Sequence, residues 1–262
     1  MLNKSKIEQY GDELYNALVT RTPVAPLTDR EAEITIEDAY QIQQRMIARR
    51  LEATGETIIG KKIGVTSKVV MDMLKVNQPD FGMLTSGMVF NEGEAVDTSK
   101  MIAPRAEAEV AFILKSDLMG PGVTAADVLR ATDCVVPCFE IVDSRIQDWK
   151  IKIQDTVADN ASCGVLTLGG RRKSPRDIDL ALAGMVLEKN GEVISTSTGA
   201  AVQGSPVNAV AWLANTLGRL GIGLKAGEVI LSGSQSPLVP VKAGDSLVCS
   251  VGGLGSTSVR FI

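Results

Sequence analysis

Histidine is absent from all 262 residues of the chain. That absence removes every Ser-His, Cys-His or imidazole-based acid–base scheme, so any catalysis must draw on carboxylates, Lys, Tyr, Ser, Cys or a metal. It also removes the Cys/His zinc sites that the four cysteines could otherwise suggest. Cys134, Cys138, Cys163 and Cys249 lie among apolar or small residues, which predicts reduced core thiols. A chain of this length buries enough apolar surface to need no disulfide framework. A concentrated basic stripe is missing too: 27 Lys and Arg are interspersed with 31 Asp and Glu for a formal charge of -4. This excludes the electrostatic footprint of a nucleic-acid binder. No segment runs about 18 residues without a charge or a strong breaker, and the opening MLNKSKIEQYGDELYNALV has no apolar signal core. The expectation is a soluble, cytoplasmic protein without a membrane partner. Internal repeats and low-complexity tracts are absent, and LSGSQSP after Ile230 lacks the lysine and spacing of a phosphate-binding loop.

What is present divides into a helical start and a β-rich remainder, giving an α+β class. Ile7, Tyr10, Leu14 and Leu18 recur at three- and four-residue spacing and predict a first helix with one apolar face. A Pro-containing connector, Thr22 to Leu27, precedes a second helix. There Thr35 is positioned as the cap, Asp38 falls in the first turn, Ala39, Ile42 and Met46 face inward, and Gly55 ends the region. From about Ile58 the texture becomes short apolar runs between Gly, Pro, Asp and Ser: TIIGKKIGV, AEVAFIL, CVVPCFEIV, GVLTLGG, GEVIL and DSLVCSV. Two helices interrupt them. One is capped by Thr124 with Asp127 three residues on; the other has Ser205 as cap, Pro206 in the first turn, and Val210, Leu213 and Leu217 inward. The expected division is a helical part over residues 1–57 and a β-rich catalytic core over 58–262, packed as one unit.

The run RAEAEVAFIL from Arg105 carries the chemistry. Glu107 and Glu109 are two apart, a spacing that aims both side chains to one face of a strand. Glu140 sits in the apolar CVVPCFEIV, where an unpaired charge is costly. Three convergent carboxylates without His or organised Cys suit a hard cation such as Mg²⁺ or Mn²⁺. The alternative is that Glu107 and Glu109 lie on a solvated face while Glu140 pairs with Arg145 or a lysine. Lys62, between Gly60 and Gly64, is either a desolvated proton donor or a surface lysine. Asp80 in QPDFG is read most simply as a turn initiator. DTVADNASCG from Asp155 either lines a polar pocket or forms an ordinary loop.

Taken together, GKKIGVTS from Gly60, QPDFG from Gln78, PRAEAE from Pro104, DSRIQDW from Asp143, DTVADNASCG from Asp155 and GGLGS from Gly252 resemble one family. It is the 2-keto-4-pentenoate (2-hydroxypenta-2,4-dienoate) hydratases of aromatic meta-cleavage catabolism, within the fumarylacetoacetate hydrolase superfamily, and the resemblance covers nearly the whole chain. It implies a mixed β-roll core of the fumarylacetoacetate hydrolase C-terminal type behind an N-terminal helical part. Mg²⁺ or Mn²⁺ is implied on Glu107, Glu109 and Glu140, with Lys62, Asp80 and Ser162 as catalytic pocket residues. The implied reaction is hydration of 2-hydroxypenta-2,4-dienoate to 4-hydroxy-2-oxopentanoate by a homo-oligomer, in association with a 4-oxalocrotonate decarboxylase. Those decarboxylases share the E-x-E, G-x-K-x-G and VADNAS patterns, so decarboxylation is the alternative activity, and a non-catalytic partner subunit is the second alternative. RIQDW, ASCG and SGSQSPL from Ser232 resemble the hydratase side. The hydrolases that name the superfamily use a Glu-His dyad, which a chain without histidine cannot form.

Overall fold

The computed structural model describes the backbone of residues 1–262 and every side chain except those of Val69, Met73 and Leu74. The chain opens with helices α1 (Lys4–Thr20), α2 (Leu27–Arg30) and α3 (Ile36–Thr54). Strand β1 (Ile58–Gly64), helix α4 (Lys68–Leu74) and strands β2 (Asp80–Thr85), β3 (Val89–Asn91), β4 (Ala95–Val96) and β5 (Arg105–Leu114) follow. Next come α5 (Ala125–Ala131), β6 (Thr132–Val142), α6 (Ile153–Ala158) and β7 (Cys163–Leu168). The chain closes with β8 (Gly184–Lys189), β9 (Glu192–Thr198), α7 (Pro206–Gly218), β10 (Val229–Leu231), β11 (Val239–Pro240), β12 (Ser246–Val251) and β13 (Gly255–Phe261).

The helices form where local chemistry favours them. Asn3 caps α1 by accepting from the Lys6 amide at 3.0 Å, and Ile7, Tyr10, Leu14 and Ala17 form its buried stripe, with Leu18 at the half-buried edge. Thr35 and Asp38 close a reciprocal capping box at 3.1 Å in both directions, and Gly55 ends α3 in the left-handed conformation at φ 72. Asp38 is fully buried because it also accepts from the Leu2 amide at 2.9 Å. Ser205 occupies the N-cap of α7, but its hydroxyl makes no capping bond; Pro206 at the first position carries the start. α4 and α6 were not legible as helices in the sequence. α6 overlaps the start of the polar DTVADNASCG run, and its first turn is held by Asp155, whose carboxylate accepts from the Lys152 amide at 2.9 Å and from Thr28. The buried residues of α1 and α3 meet Ile146, Ile153 and Val157 in one apolar cluster.

Eight strands form the larger sheet in the order β2-β1-β10-β5-β6-β7-β3, with β11 added against the far end of β5. Five form the smaller, β4-β13-β12-β8-β9. Alternation along β5 sorts its side chains. Ala106, Ala108, Val110, Phe112 and Leu114 join the main core between the sheets, with Phe139 and Ile141 of β6, Leu247 and Val259 of the smaller sheet, and Val210, Leu213 and Leu217 of α7. On the other face, Ala111 packs with Leu84, Val136, Leu166 and Leu231. The same face carries Glu109, Glu107 and Arg105 at successive two-residue steps. It is therefore apolar at one end and charged at the other.

β10 covers β5 only as far as Ala111, and β11 resumes at Ala106 and Arg105. Between them the loop 232–238 arches out yet keeps rungs, with the Ser232 and Gln235 amides donating to the carbonyls of Val110 and Ala108 at 3.2 and 3.0 Å. Among the described residues no helix is long and apolar enough to cross a membrane.

Leu213 is fully buried in the main core, so Leu213→Ala is expected to lower the unfolding free energy by about 2–5 kcal/mol. A urea transition with an unchanged midpoint would remove Leu213 from the core.

Candidate metal centre

Strand register brings the glutamates together. Glu107 and Glu140 are directly opposed in the β5–β6 pairing, and Glu109, opposite Cys138, is the diagonal neighbour of Glu140. One oxygen from each of the three lies within 4.8 Å of the others. Glu109 and Glu140 are fully buried, while Glu107 is half-buried and lines a cavity. Like charges facing each other across a rung are destabilising, and burial adds the cost of lost solvation. Protein groups compensate only in part. The Gly233 amide donates to Glu109 Oε2 at 2.8 Å, but Glu109 Oε1 and both oxygens of Glu140 accept no aligned hydrogen bond.

Lys62 supplies the nearby positive charge. It lies on the buried part of β1, with Nζ 3.2 Å from Glu140 Oε1 and donating to the Ala161 carbonyl at 3.0 Å. Asp80 opens β2 directly opposite Gly64, is 2 % exposed, and has an unpartnered Oδ1. A Cβ at Gly64 would come within 2.2 Å of that oxygen and 3.2 Å of Lys62 Nζ. The second glycine of G-K-K-I-G thus makes room for an acid beside the lysine, and Asp80 is a strand residue facing the site, not a turn initiator.

These charges determine protonation. Burial, and then the charge of Glu140, pushes the Glu107 carboxyl up to about 7. Burial with the Glu140 and Glu107 charges raises Glu109 well above the ordinary carboxyl range. Burial also raises Glu140 and Asp80, with Lys62 opposing the shift in each. For Lys62 burial favours the neutral amine, but the charges of Glu140 and Asp80 outweigh it and hold the ammonium above its ordinary range.

A second, deeper ion pair shapes the rest of the site. Arg145 is 1 % exposed and binds the Asp159 carboxylate, while its remaining donors reach the carbonyls of Asp143, Asp159 and Cys163. Arg145 is therefore occupied with Asp159, and the cation beside Glu140 is Lys62. Next along the chain, Asn160, Ala161 and Ser162 all adopt left-handed backbone at φ 53, 50 and 55, a conformation that costs non-glycine residues about 1–2 kcal/mol each. Asn160 secures this turn by accepting from the Met83 amide at 2.8 Å and donating to the Met83 carbonyl at 2.9 Å. The turn aims the Ala161 carbonyl at Lys62 and puts the Ser162 hydroxyl 3.1 Å from that of Thr156. Lys62, Asp80, Glu107 and Ser162 all line one cavity of about 480 Å³, whose outer wall includes Arg105, Trp149, Ile151 and Leu238. The sequence motifs did not single out Arg105, Asn160 or the Ala161 carbonyl. For Arg105 the signal was available: it is two residues before Glu107, hence on the same strand face.

The donor set suits a cation that prefers oxygen. Three convergent carboxylates, with three buried oxygens that accept no aligned hydrogen bond and only one of them ion-paired to Lys62, offer what such an ion takes, and no nitrogen or sulfur ligand competes within the triad. Residues 61–262 match the fumarylacetoacetate (FAA) hydrolase C-terminal family model. The chain belongs to the fumarylacetoacetate hydrolase family. Within this family, a 2-hydroxypent-2,4-dienoate hydratase of Pseudomonas putida is 66% identical over 84% of this chain and 100% of its own. A 2-hydroxyhexa-2,4-dienoate hydratase of Comamonas testosteroni is 58% identical over 100% of this chain and 99% of its own. The 4-oxalocrotonate decarboxylase from Pseudomonas putida G7, solved with magnesium and adipate, superposes with a TM-score of 0.96 at 39% identity, covering 100% and 99% of the two chains. The resemblance drawn from the motifs therefore holds, as does the α+β class.

Two predictions follow from the crowding of carboxyls. Gly64→Ala is expected to displace Asp80 and perturb Lys62; a crystal structure of the variant with Asp80 unmoved would refute the steric account. In metal-free protein Glu107 titrates at about 7 instead of the ordinary 4.5, and its carboxyl neighbours also shift upward. The folded state thus binds protons more tightly than the unfolded chain. The resulting stability is complete below the unfolded value and is lost as pH rises through the folded one. The melting temperature of chelator-treated protein should therefore fall between about pH 5 and about pH 8, and a flat or rising profile would contradict the repulsion.

Proposed function

We propose that the chain is a divalent-metal-dependent hydratase that converts 2-hydroxypenta-2,4-dienoate into 4-hydroxy-2-oxopentanoate. The observation that carries this reading is the convergent triad Glu107, Glu109 and Glu140, with buried oxygens that accept no aligned hydrogen bond, reached through Glu107 from the cavity that Lys62 and Asp80 also line. The three glutamates are the proposed ligands, and Mg²⁺ or Mn²⁺ the proposed ion, since hard cations favour all-oxygen sites. The magnesium in the related decarboxylase supports the choice of metal, and the two hydratase relatives support the substrate.

When bound, the ion supplies positive charge that withdraws electron density from a chelating 2-oxo acid. The chain's own residues handle protons and water. Ketonisation moves a proton from the 2-hydroxyl to C5 and leaves a 2-oxo-3-enoate whose C4 is electrophilic. Hydroxyl from water then adds to C4 and a proton to C3. Lys62 holds a proton on Nζ at the cavity wall, and Asp80, beside it, exchanges protons with the reacting carbons or with water. Ser162, held by Thr156, orients the water. The Ala161 carbonyl fixes Lys62 against the carboxylates and so maintains its position through turnover.

Residues 1–57 and 58–262 are proposed to act as one unit, supported by the cluster that joins Ile7 and Leu14 to Ile146 and Val157. Exposed Leu182, Val193 and Ile194, on and beside β9, support a homo-oligomer. A cytoplasmic setting is supported by four buried free thiols. The structural likeness to a 4-oxalocrotonate decarboxylase favours decarboxylation as the second reading, and such an enzyme as the proposed partner.

The test is to strip the protein of metal, restore Mg²⁺ or Mn²⁺, and follow loss of 2-hydroxypenta-2,4-dienoate absorbance with product identification, running 4-oxalocrotonate in parallel. Metal-restored formation of 4-hydroxy-2-oxopentanoate is expected; carbon dioxide release from 4-oxalocrotonate alone would transfer the assignment to decarboxylation, and silence on both would leave a non-catalytic subunit. Glu109→Gln should weaken metal binding and lower turnover by more than about a hundredfold. Normal metal affinity in that variant would remove Glu109 from the ligand set.

A further inference from the structure

Arg105 has the features of an anion-binding residue. It begins β5 on the strand face of Glu107 and Glu109 and lines the same cavity as Lys62 and Asp80. Its guanidinium carbon lies 4.4 Å from the centroid of the Trp149 ring. The indole is fixed in turn, its Nε1 donating to the Ala103 carbonyl at 3.0 Å. Stacking on an aromatic face holds a guanidinium in place while leaving its in-plane N–H donors free. Among the described residues, Arg105 is the only buried or half-buried arginine with no carboxylate partner and no side-chain hydrogen bond.

The charge balance of the cavity gives that fork a task. Glu107, Glu109, Glu140 and Asp80 outnumber Lys62, so even with a divalent ion present and all four ionised one negative charge is left over, and an entering carboxylate adds another. Two residues along a strand correspond to about 6.6–6.8 Å, which puts Arg105 one step from Glu107 toward the cavity's outer wall. That distance suits a side chain reaching the outer oxygen of a carboxylate held beside the triad. We propose that Arg105, stacked on Trp149, binds the 1-carboxylate of the 2-oxo acid substrate through its planar donors. This rests on the metal-dependent reading above.

The probe is 2-oxopentanoate, a saturated analogue with one carboxylate, titrated calorimetrically into magnesium-loaded wild type, Arg105→Gln and Arg105→Lys, with magnesium affinity measured separately for each. Arg105→Gln is expected to weaken 2-oxopentanoate binding by about ten- to a hundredfold, as for loss of a charged hydrogen-bond pair, without weakening magnesium binding. KM for the dienoate should rise by a similar factor, with a smaller change in kcat. Arg105→Lys keeps the charge but not the fork, so it should recover part of the affinity; it also serves as the test if Arg105→Gln does not fold. Wild-type affinity in both variants overturns the assignment. A loss seen with the dicarboxylate 2-oxoadipate but not with 2-oxopentanoate also overturns it, placing Arg105 at the far end of the substrate. If wild-type protein binds magnesium but no 2-oxo acid, or binds no magnesium, the underlying reading and this inference fall together, whereas a defect-free Arg105→Gln beside a competent wild type removes this inference alone.

Discussion

The carboxylates of Glu107 and Glu140 oppose each other across a rung of the β5–β6 ladder, with Glu109 on the diagonal. Register alone forces this contact, because moving either strand by one residue would turn its entire set of side chains to the other face. The surrounding structure tolerates the repulsion with limited means: one backbone amide from Gly233, one ammonium from Lys62, and upward-shifted carboxyls that retain protons more readily. The ordered apolar half of the same face, with Ala111, Val136, Leu166 and Leu231, provides the packing that keeps the strands in register against it. The site is thus a destabilised patch within a stable sheet, which is the expected arrangement when a ligand completes it.

Two supports of different kind surround the triad. The glutamates and Lys62 stand on sheet strands, where ladder bonds fix their position. Ala161 and Ser162 stand on a left-handed turn that no local preference favours; Arg145, Asp159 and Asn160 impose it. A buried pair such as Arg145–Asp159 contributes modestly to net stability, but removing one partner leaves an uncompensated buried charge. Burial pushes Asp159 up to about 6, with Arg145 opposing the shift. The effect of the pair is to orient a carbonyl and a hydroxyl toward the cavity while itself remaining out of reach of substrate.

Much of this was readable before any coordinates. The two-residue spacing of Glu107 and Glu109 correctly put them on one strand face, and the caps at Thr35 and Thr124 formed as capping boxes. Glu140 was legible as a charge in need of a partner, though not which one: Arg145 is much the nearer cation in sequence, and only the fold pairs it with Asp159 and brings Lys62 to Glu140. The role of Asp80 was hidden: QPDFG reads as a turn by local preference, and its place opposite Gly64 is a long-range consequence of β1–β2 pairing. α6 was obscured because the Asp and Thr residues that weaken its helical signal are the ones its buried hydrogen bonds require. β9 and β13 escaped notice since serines and threonines dilute their apolar alternation, and β8 because its apolar run is only three residues long before Glu188 and Lys189.

The interruption between β10 and β11 has an evolutionary consequence. The chain leaves β5 after Ala111 and returns at Ala106, while the arch between them still donates amides to the β5 ladder. A lineage can therefore lengthen, shorten or rewrite the crest of that arch, where Pro237 and Leu238 meet the cavity, without shifting the rungs that align the glutamates. Only the crest is separable in this way, because Gly233 at the base of the same arch donates to Glu109 and the Ser236 hydroxyl accepts from the Ala108 amide. A single ancestral scaffold could in this way diversify toward neighbouring metabolites through small changes in one arch, each compatible with a folded and metal-competent intermediate.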